Sequence, residues 1–130
     1  MCLRKFFCIF ALVAAASMFA QNAGPRVIAV SIDGEISPVT PEIVGHAIEQ
    51  AKSENAALLL IRINTPGGLL DATRVLIQKL DASPVPVVTY VTPSGARAAS
   101  AGFFVLEAGD VAAMAPATTR PCCWSGKWTR

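Results

Sequence analysis

Apolar positions follow two alternating rhythms along this chain. Residues 26–32 ("RVIAVSI") are β-branched and nearly continuous in apolar character, which predicts a buried strand. Asp33-Gly34 marks a turn. From Thr40 the spacing changes, and Ile43, Val44, Ala47, Ile48 and Ala51 recur at helical intervals, predicting one apolar face. Thr40-Pro41-Glu42 predicts the helix start: threonine caps, proline takes the first helical position and glutamate favours the first turn. Ser53-Glu54-Asn55 ends it. Residues 57–64 ("ALLLIRIN") predict a second buried strand, broken by Thr65-Pro66-Gly67-Gly68. Leu69, Leu70, Thr73, Leu76, Ile77 and Leu80 predict a second amphipathic helix. Residues 85–91 predict a third strand, with Pro84 and Pro86 at its start, where ladder bonds are not yet needed. Residues 100–108 predict a short helix and 111–115 a fourth, brief strand.

Strands that alternate with helices, and are apolar on both faces, predict an α/β domain: a mostly parallel sheet covered by helices. In such sheets ligands bind outside the carboxyl ends of the strands. Pro66-Gly67-Gly68 and Ala98-Ala99-Ser100 both follow predicted strands, so both fall where a site belongs.

The two ends break these rhythms. Arg4 and Lys5 precede an apolar run from Phe6 to Phe19, and Ala20 then meets Gln21-Asn22. That is the charged, apolar, small-residue order of a secretory signal. Residues 1–20 are therefore expected to be a signal peptide, with an uncleaved anchor as the alternative because Met18 is a poor residue before a cleavage site. The expected location is exported, periplasmic or membrane-associated. Residues 21–119 form the expected domain. Residues 120–130 ("RPCCWSGKWTR") are an atypical tail with both tryptophans, two of the four cysteines and no acid.

Setting the ends aside changes the charge picture. All nine acidic residues lie in the body, against six of the eleven basic ones, so the formal +2 comes from the ends. The body has no clustered basic footprint, and no nucleic acid is expected as a partner. Its lack of cysteine gives no disulfide framework and no metal spacing. No metal or cofactor enters the expected chemistry.

Candidate chemistry rests on the two small-residue stretches. Backbone N–H groups of Gly67-Gly68, between a strand and a helix, can stabilise an oxyanion; the bland alternative is an ordinary tight turn. Ser100 can be a nucleophile, with the Ala101 N–H beside it and Ala98, Ala99 and Gly102 leaving space for a substrate backbone. Its bland alternative is a helix N-cap. A serine nucleophile needs a base. His46, the single histidine, falls mid-helix beside Gly45, and Lys52 and Lys79 fall on helices with acids nearby, so none is a convincing base.

The segments "VIAVSIDGEISPVTPEIVGHAIEQA", "LLLIRINTPGGLLDATRVLIQKL" and "PVVTYVTPSGARAASAGFFVLEAGDVAAMAP" resemble the NfeD (nodulation efficiency) proteins. These are membrane-bound serine proteases of the Clp-protease class, often encoded beside a stomatin-like protein. The likeness runs from about Arg26 to Pro116, and the pairing of Asn64-Thr65-Pro66-Gly67-Gly68 with Arg97-Ala98-Ala99-Ser100-Ala101-Gly102 carries it. The resemblance implies a Clp protease/crotonase-like fold, with Ser100 as catalytic nucleophile and the amides of Gly67, Gly68 and Ala101 as oxyanion hole. It implies a serine–lysine dyad, which accounts for the missing histidine, with the lysine well downstream of the serine. The 130 residues stop before that lysine, so the chain is expected to be a truncated N-terminal part, inactive alone. Implied partners are a peptide or protein substrate, a hydrophobic segment with a stomatin-like membrane protein as candidate source, and further copies of the chain, since the family is homo-oligomeric. Read one base later, codons for a family-like Val-Leu-Leu-Val-Gly-Glu-Met-Asp-Glu peptide encode Cys122 to Arg130, so the tail is expected to be frameshifted. The rival readings are a non-catalytic exported binding domain or pseudoenzyme fragment, and a crotonase-type acyl-CoA enzyme, against which the signal argues.

Overall fold

Four strands and three helices alternate along residues 24–119, the part of the chain that this computed structural model describes. The expected signal segment and tail lie outside the described residues. The elements are β1 (Val27–Asp33), α1 (Thr40–Ser53), β2 (Leu58–Asn64), α2 (Leu70–Asp81), β3 (Val87–Val91), α3 (Ala101–Glu107) and β4 (Val111–Met114). All strand pairs are parallel and the sheet order is β1-β2-β3-β4, so each strand lies beside its predecessor. Right-handed crossovers that always step the same way place every helix on one face of the sheet. The fold is α/β with a wholly parallel sheet, as the strand–helix rhythm implies.

The core lies between that face and the helices. Ile32, Leu59, Ile61, Ile63, Val87 and Val91 project from the strands into it. Val44, Ala47, Ile48 and Ala51 of α1, Leu76 and Leu80 of α2, and Val105 and Leu106 of α3 meet them. α1 and α3 rest on the sheet, and α2 packs between them. Each fully buried Leu, Ile or Val contributes about 1.5–3 kcal/mol by leaving water.

The opposite face departs from the expectation of cover on both sides. There Val27, Ala29 and Ser31 of β1 align with Leu58, Leu60 and Arg62 of β2, then with Val88 and Tyr90 of β3 and Val111 and Ala113 of β4. None of these side chains is buried, and Val27 and Val111 are 48% and 46% exposed. No element among the described residues covers this face. Continuous apolar character correctly marked strands suited to burial on two faces, but the described elements fill only one.

α1 also starts differently. Thr40 is its first helical residue rather than its cap, and its hydroxyl accepts the Ser37 N–H at 3.1 Å. The threonine therefore closes the preceding turn, while Pro41 sits in the first turn as expected.

Candidate active site

β2 and β3 end side by side, and their loops leave together. The Thr65 N–H donates to the Arg97 carbonyl at 2.7 Å, and the Ala99 N–H donates to the Thr65 carbonyl at 3.1 Å. This bridge pairs Thr65 with Ala98 and lays the serine loop along the glycine turn. Asn64 adds a side-chain link. It donates to the Asp33 carboxylate at 2.9 Å and accepts the Arg97 N–H at 3.3 Å, tying the end of β1 to the same loop.

The result is contact between the two stretches singled out in the sequence. A Cβ placed on Gly67 would stand 3.0 Å from Ser100 Cβ, 3.3 Å from the Ala99 carbonyl oxygen and 3.4 Å from Ser100 Oγ. Gly67 has φ +121, open to glycine and strained for other residues. Gly68 is held for another reason: a Cβ there would collide with the Ile36 backbone, including its N at 2.5 Å and Cα at 2.7 Å. Each glycine is thus required by the turn itself, whatever else the turn does.

Ser100 stands at the cap position of α3 without behaving as a cap. A capping serine has β-region dihedrals and accepts an N–H from the first turn. Ser100 has φ 51 and ψ −116, makes no capping bond and is exposed. Such a backbone costs of order 1–3 kcal/mol and clusters at functional sites. A serine held on a sharp strand-to-helix turn presents its hydroxyl outward.

The amides around it differ in availability. The Gly67 N–H donates to Thr65 Oγ1 at 3.1 Å. The Gly102 and Phe103 N–H groups donate to the Ala99 and Ser100 carbonyls at 2.9 and 3.0 Å. Gly68 and Ala101 N–H groups have no partner among the described residues. Of the three amides expected in an oxyanion cradle, two are therefore free and one is held by Thr65. Asn64 and Thr65 stand in the sequence motif without a predicted role; both are polar residues closing a strand, which is the signal available.

The candidate bases lie elsewhere. A crossover helix runs back against its strands, so Lys79, in the last turn of α2, is at the far edge of the sheet from the strand-end loops. Its ammonium pairs with Glu42 at 3.0 Å. His46 is exposed on α1 in the groove that Lys79 also lines. Lys52 is exposed in the last turn of α1. Among the described residues no group of three metal-ligating side chains comes together, and no helix is long and apolar enough to cross a membrane.

A model of the family described as "NfeD1b, N-terminal domain" matches residues 26–121. The chain is 38% identical over 92 residues to the membrane-bound protease PH1510 of Pyrococcus horikoshii, covering 71% of this chain and 21% of that protein. It is 28% identical over 87 residues to the membrane protein NfeD1b of Bacillus subtilis, covering 67% and 19%. The chain thus spans about a fifth of the length of the curated relatives it matches. Among solved structures, the 1510-N membrane-bound stomatin-specific protease, as a lysine-to-alanine mutant in complex with a substrate peptide, superposes with TM-score 0.71 at 38% identity, covering 74% of this chain and 44% of that one. A serine-to-alanine mutant of the same protease gives TM-score 0.71 at 34% identity, covering 81% and 54%. A ClpP1 mutant from Listeria monocytogenes gives 0.64 at 25% identity, covering 70% and 53%.

Proposed function

The chain belongs to the NfeD1b N-terminal domain family, and we propose that it is the nucleophile-bearing part of a serine peptidase working through a serine–lysine dyad. Ser100 is the nucleophile. A lysine outside the described residues is the base, a role supported by the lysine-to-alanine and serine-to-alanine mutants in which similar proteases were solved. As Ser100 Oγ bonds to the scissile carbonyl carbon, the lysine amine takes the hydroxyl proton. The carbonyl electron pair moves onto oxygen, where the free Gly68 and Ala101 N–H groups receive it. When the carbonyl re-forms, the C–N bond breaks and the lysine returns the proton to the leaving amine. Gly67 serves by shape, giving Ser100 room, rather than by its amide.

The carrying observation is the contact between Gly67 and a serine held at φ 51. A hydrophobic peptide segment is the substrate class. Leu69 and Leu70, 53% and 58% exposed, follow the glycine turn, and Phe104, 56% exposed, lies one helical turn beyond Ser100. A stomatin-like membrane protein is the candidate source, in keeping with the stomatin-specific proteases it resembles. We place the protein outside the cytoplasm, exported by residues 1–20 and membrane-associated, in a homo-oligomer.

Labelling with a serine-directed fluorophosphonate, with a relative's lysine-bearing segment joined in cis to supply the base, tests this. The adduct is expected on Ser100, and Ser100→Ala should remove it. Slow labelling confined to other serines, or none under forcing conditions, would instead support a non-catalytic exported binding domain.

A further inference from the structure

We propose that Thr65 is the positioning residue that couples the oxyanion-binding turn to the serine-bearing helix, an inference that rests on the peptidase reading above. A threonine hydroxyl has one proton to give and lone pairs to accept. Thr65 Oγ1 uses both on one residue, donating to the Gly67 carbonyl at 3.0 Å and accepting the Gly67 N–H at 3.1 Å. The Gly67 carbonyl takes a second bond from the Ile36 N–H at 2.9 Å.

In a trans peptide the C=O of one residue and the N–H of the next point in opposite directions. Pinning the Gly67 carbonyl twice therefore turns the Gly68 N–H the other way. The parallel bridge agrees: Ile36 is bonded by the Gly67 carbonyl and the Leu69 N–H, so the N–H and C=O of Gly68 itself face away from Ile36. Gly67, at φ +121, is a flexible place to hinge a peptide plane. Thr65 removes that freedom.

The methyl group does a second job. Thr65 is fully buried, and a Cβ on Gly102 would collide with Thr65 Cγ2. The next atoms, Ala98 Cβ and Thr65 Cβ, stand at 3.7 and 3.8 Å, which is ordinary contact. The first turn of α3 thus rests on this single methyl, which sets how closely Ser100 approaches the turn that the hydroxyl orients. Valine keeps the shape without the hydroxyl, and serine keeps the hydroxyl without the methyl.

The test compares Thr65→Val, Thr65→Ser, Gly102→Ala and the Gly102→Ala/Thr65→Ser pair. Two readouts are used: the fluorophosphonate labelling rate of Ser100, and hydrogen exchange of the Gly67 amide by NMR. Thr65→Val is expected to slow labelling by about tenfold or more with unchanged far-UV circular dichroism, as loss of an oriented donor does. It should also speed Gly67 exchange by about tenfold, as expected when a buried amide loses its acceptor. Thr65→Ser should recover most of both. Gly102→Ala should slow labelling, and adding Thr65→Ser should restore it. Wild-type labelling and exchange in Thr65→Val would overturn the inference, as would failure of Thr65→Ser to relieve Gly102→Ala. If Ser100 does not label in any form even with a relative's lysine-bearing segment joined in cis, the peptidase reading fails, and Gly67 exchange still decides whether Thr65 orients the turn. If Thr65→Val does not fold, the Gly102 pair decides by unfolding midpoint.

Discussion

Gly67 and Ser100 lie against each other across two loops: a Cβ on the glycine would stand 3.0 Å from the serine β-carbon, close enough that one of them must shift. Gly67→Ala therefore meets two obstacles, this contact and a φ of +121. It is expected to lower stability by about 1–3 kcal/mol. It should also displace Ser100 enough to abolish fluorophosphonate labelling. Urea titration and adduct mass spectrometry check the two effects.

Gly68→Ala should act through the fold before it acts through chemistry. Its new Cβ meets Ile36 backbone atoms, which cannot move aside as a flexible side chain would. A loss of about 3 kcal/mol or more is expected, at the upper end for overpacking. Circular dichroism melting reads it, and a melt within a degree of the parent would contradict the close approach.

Lys79→Ala and His46→Ala separate the dyad proposal from its local rivals. Lys79 is held by Glu42 at 3.0 Å at the far edge of the sheet, and His46 is on the outer surface of α1. Neither change is expected to alter Ser100 labelling. Supplying a relative's lysine-bearing segment in cis should raise peptide cleavage by ~10²–10⁴-fold, the usual reach of general-base assistance. A large loss of labelling in either variant would move the base onto α1 or α2.

Thr89 gives a stability test remote from the site. It is fully buried, and its hydroxyl donates to the Leu106 carbonyl at 2.7 Å, holding the last turn of α3 to β3. Thr89→Val leaves that carbonyl without its partner and should cost about 1–3 kcal/mol. Labelling of Ser100, at the other end of α3, should persist in the folded fraction.

The open sheet face should govern self-association. Leu60 and Val88 lie side by side near its centre, with Ala29 and Val111 flanking them. A contiguous apolar face of this kind drives association or aggregation. Leu60→Lys with Val88→Thr is expected to lower the average mass seen by light scattering while keeping the circular dichroism spectrum. An unchanged mass would mean that another surface holds the copies together.

The strand–helix order was legible because each element carries its own period: Val44, Ala47, Ile48 and Ala51 at helical spacing, and β-branched runs ending in Gly or Pro. The placement of both small-residue stretches at the carboxyl ends of strands was legible too, since each follows an apolar run. Three things were not. Thr40 reads as a cap in sequence, but its neighbour Ser37 competes for the same hydroxyl. Ser100 by itself reads first as a cap and only together with the glycine pair as a nucleophile, because residue type does not reveal a positive φ. The free and engaged amides of the glycine turn depend on Thr65, whose side chain folds back on a residue two places ahead. Local pattern does not encode such a bond; the bridge to Ala98 that buries Thr65 is a long-range event.

Because spatial order follows chain order in this sheet, assembly can keep pace with translocation. As the exported polypeptide emerges on the far side of the membrane, each new strand finds its partner already in place and need not wait for a distant segment. The glycine turn and the serine loop follow adjacent strands, so β3 docking onto β2 brings them together in one step. A chain translocated as far as α3 would then already hold the serine beside its glycine before β4 has emerged.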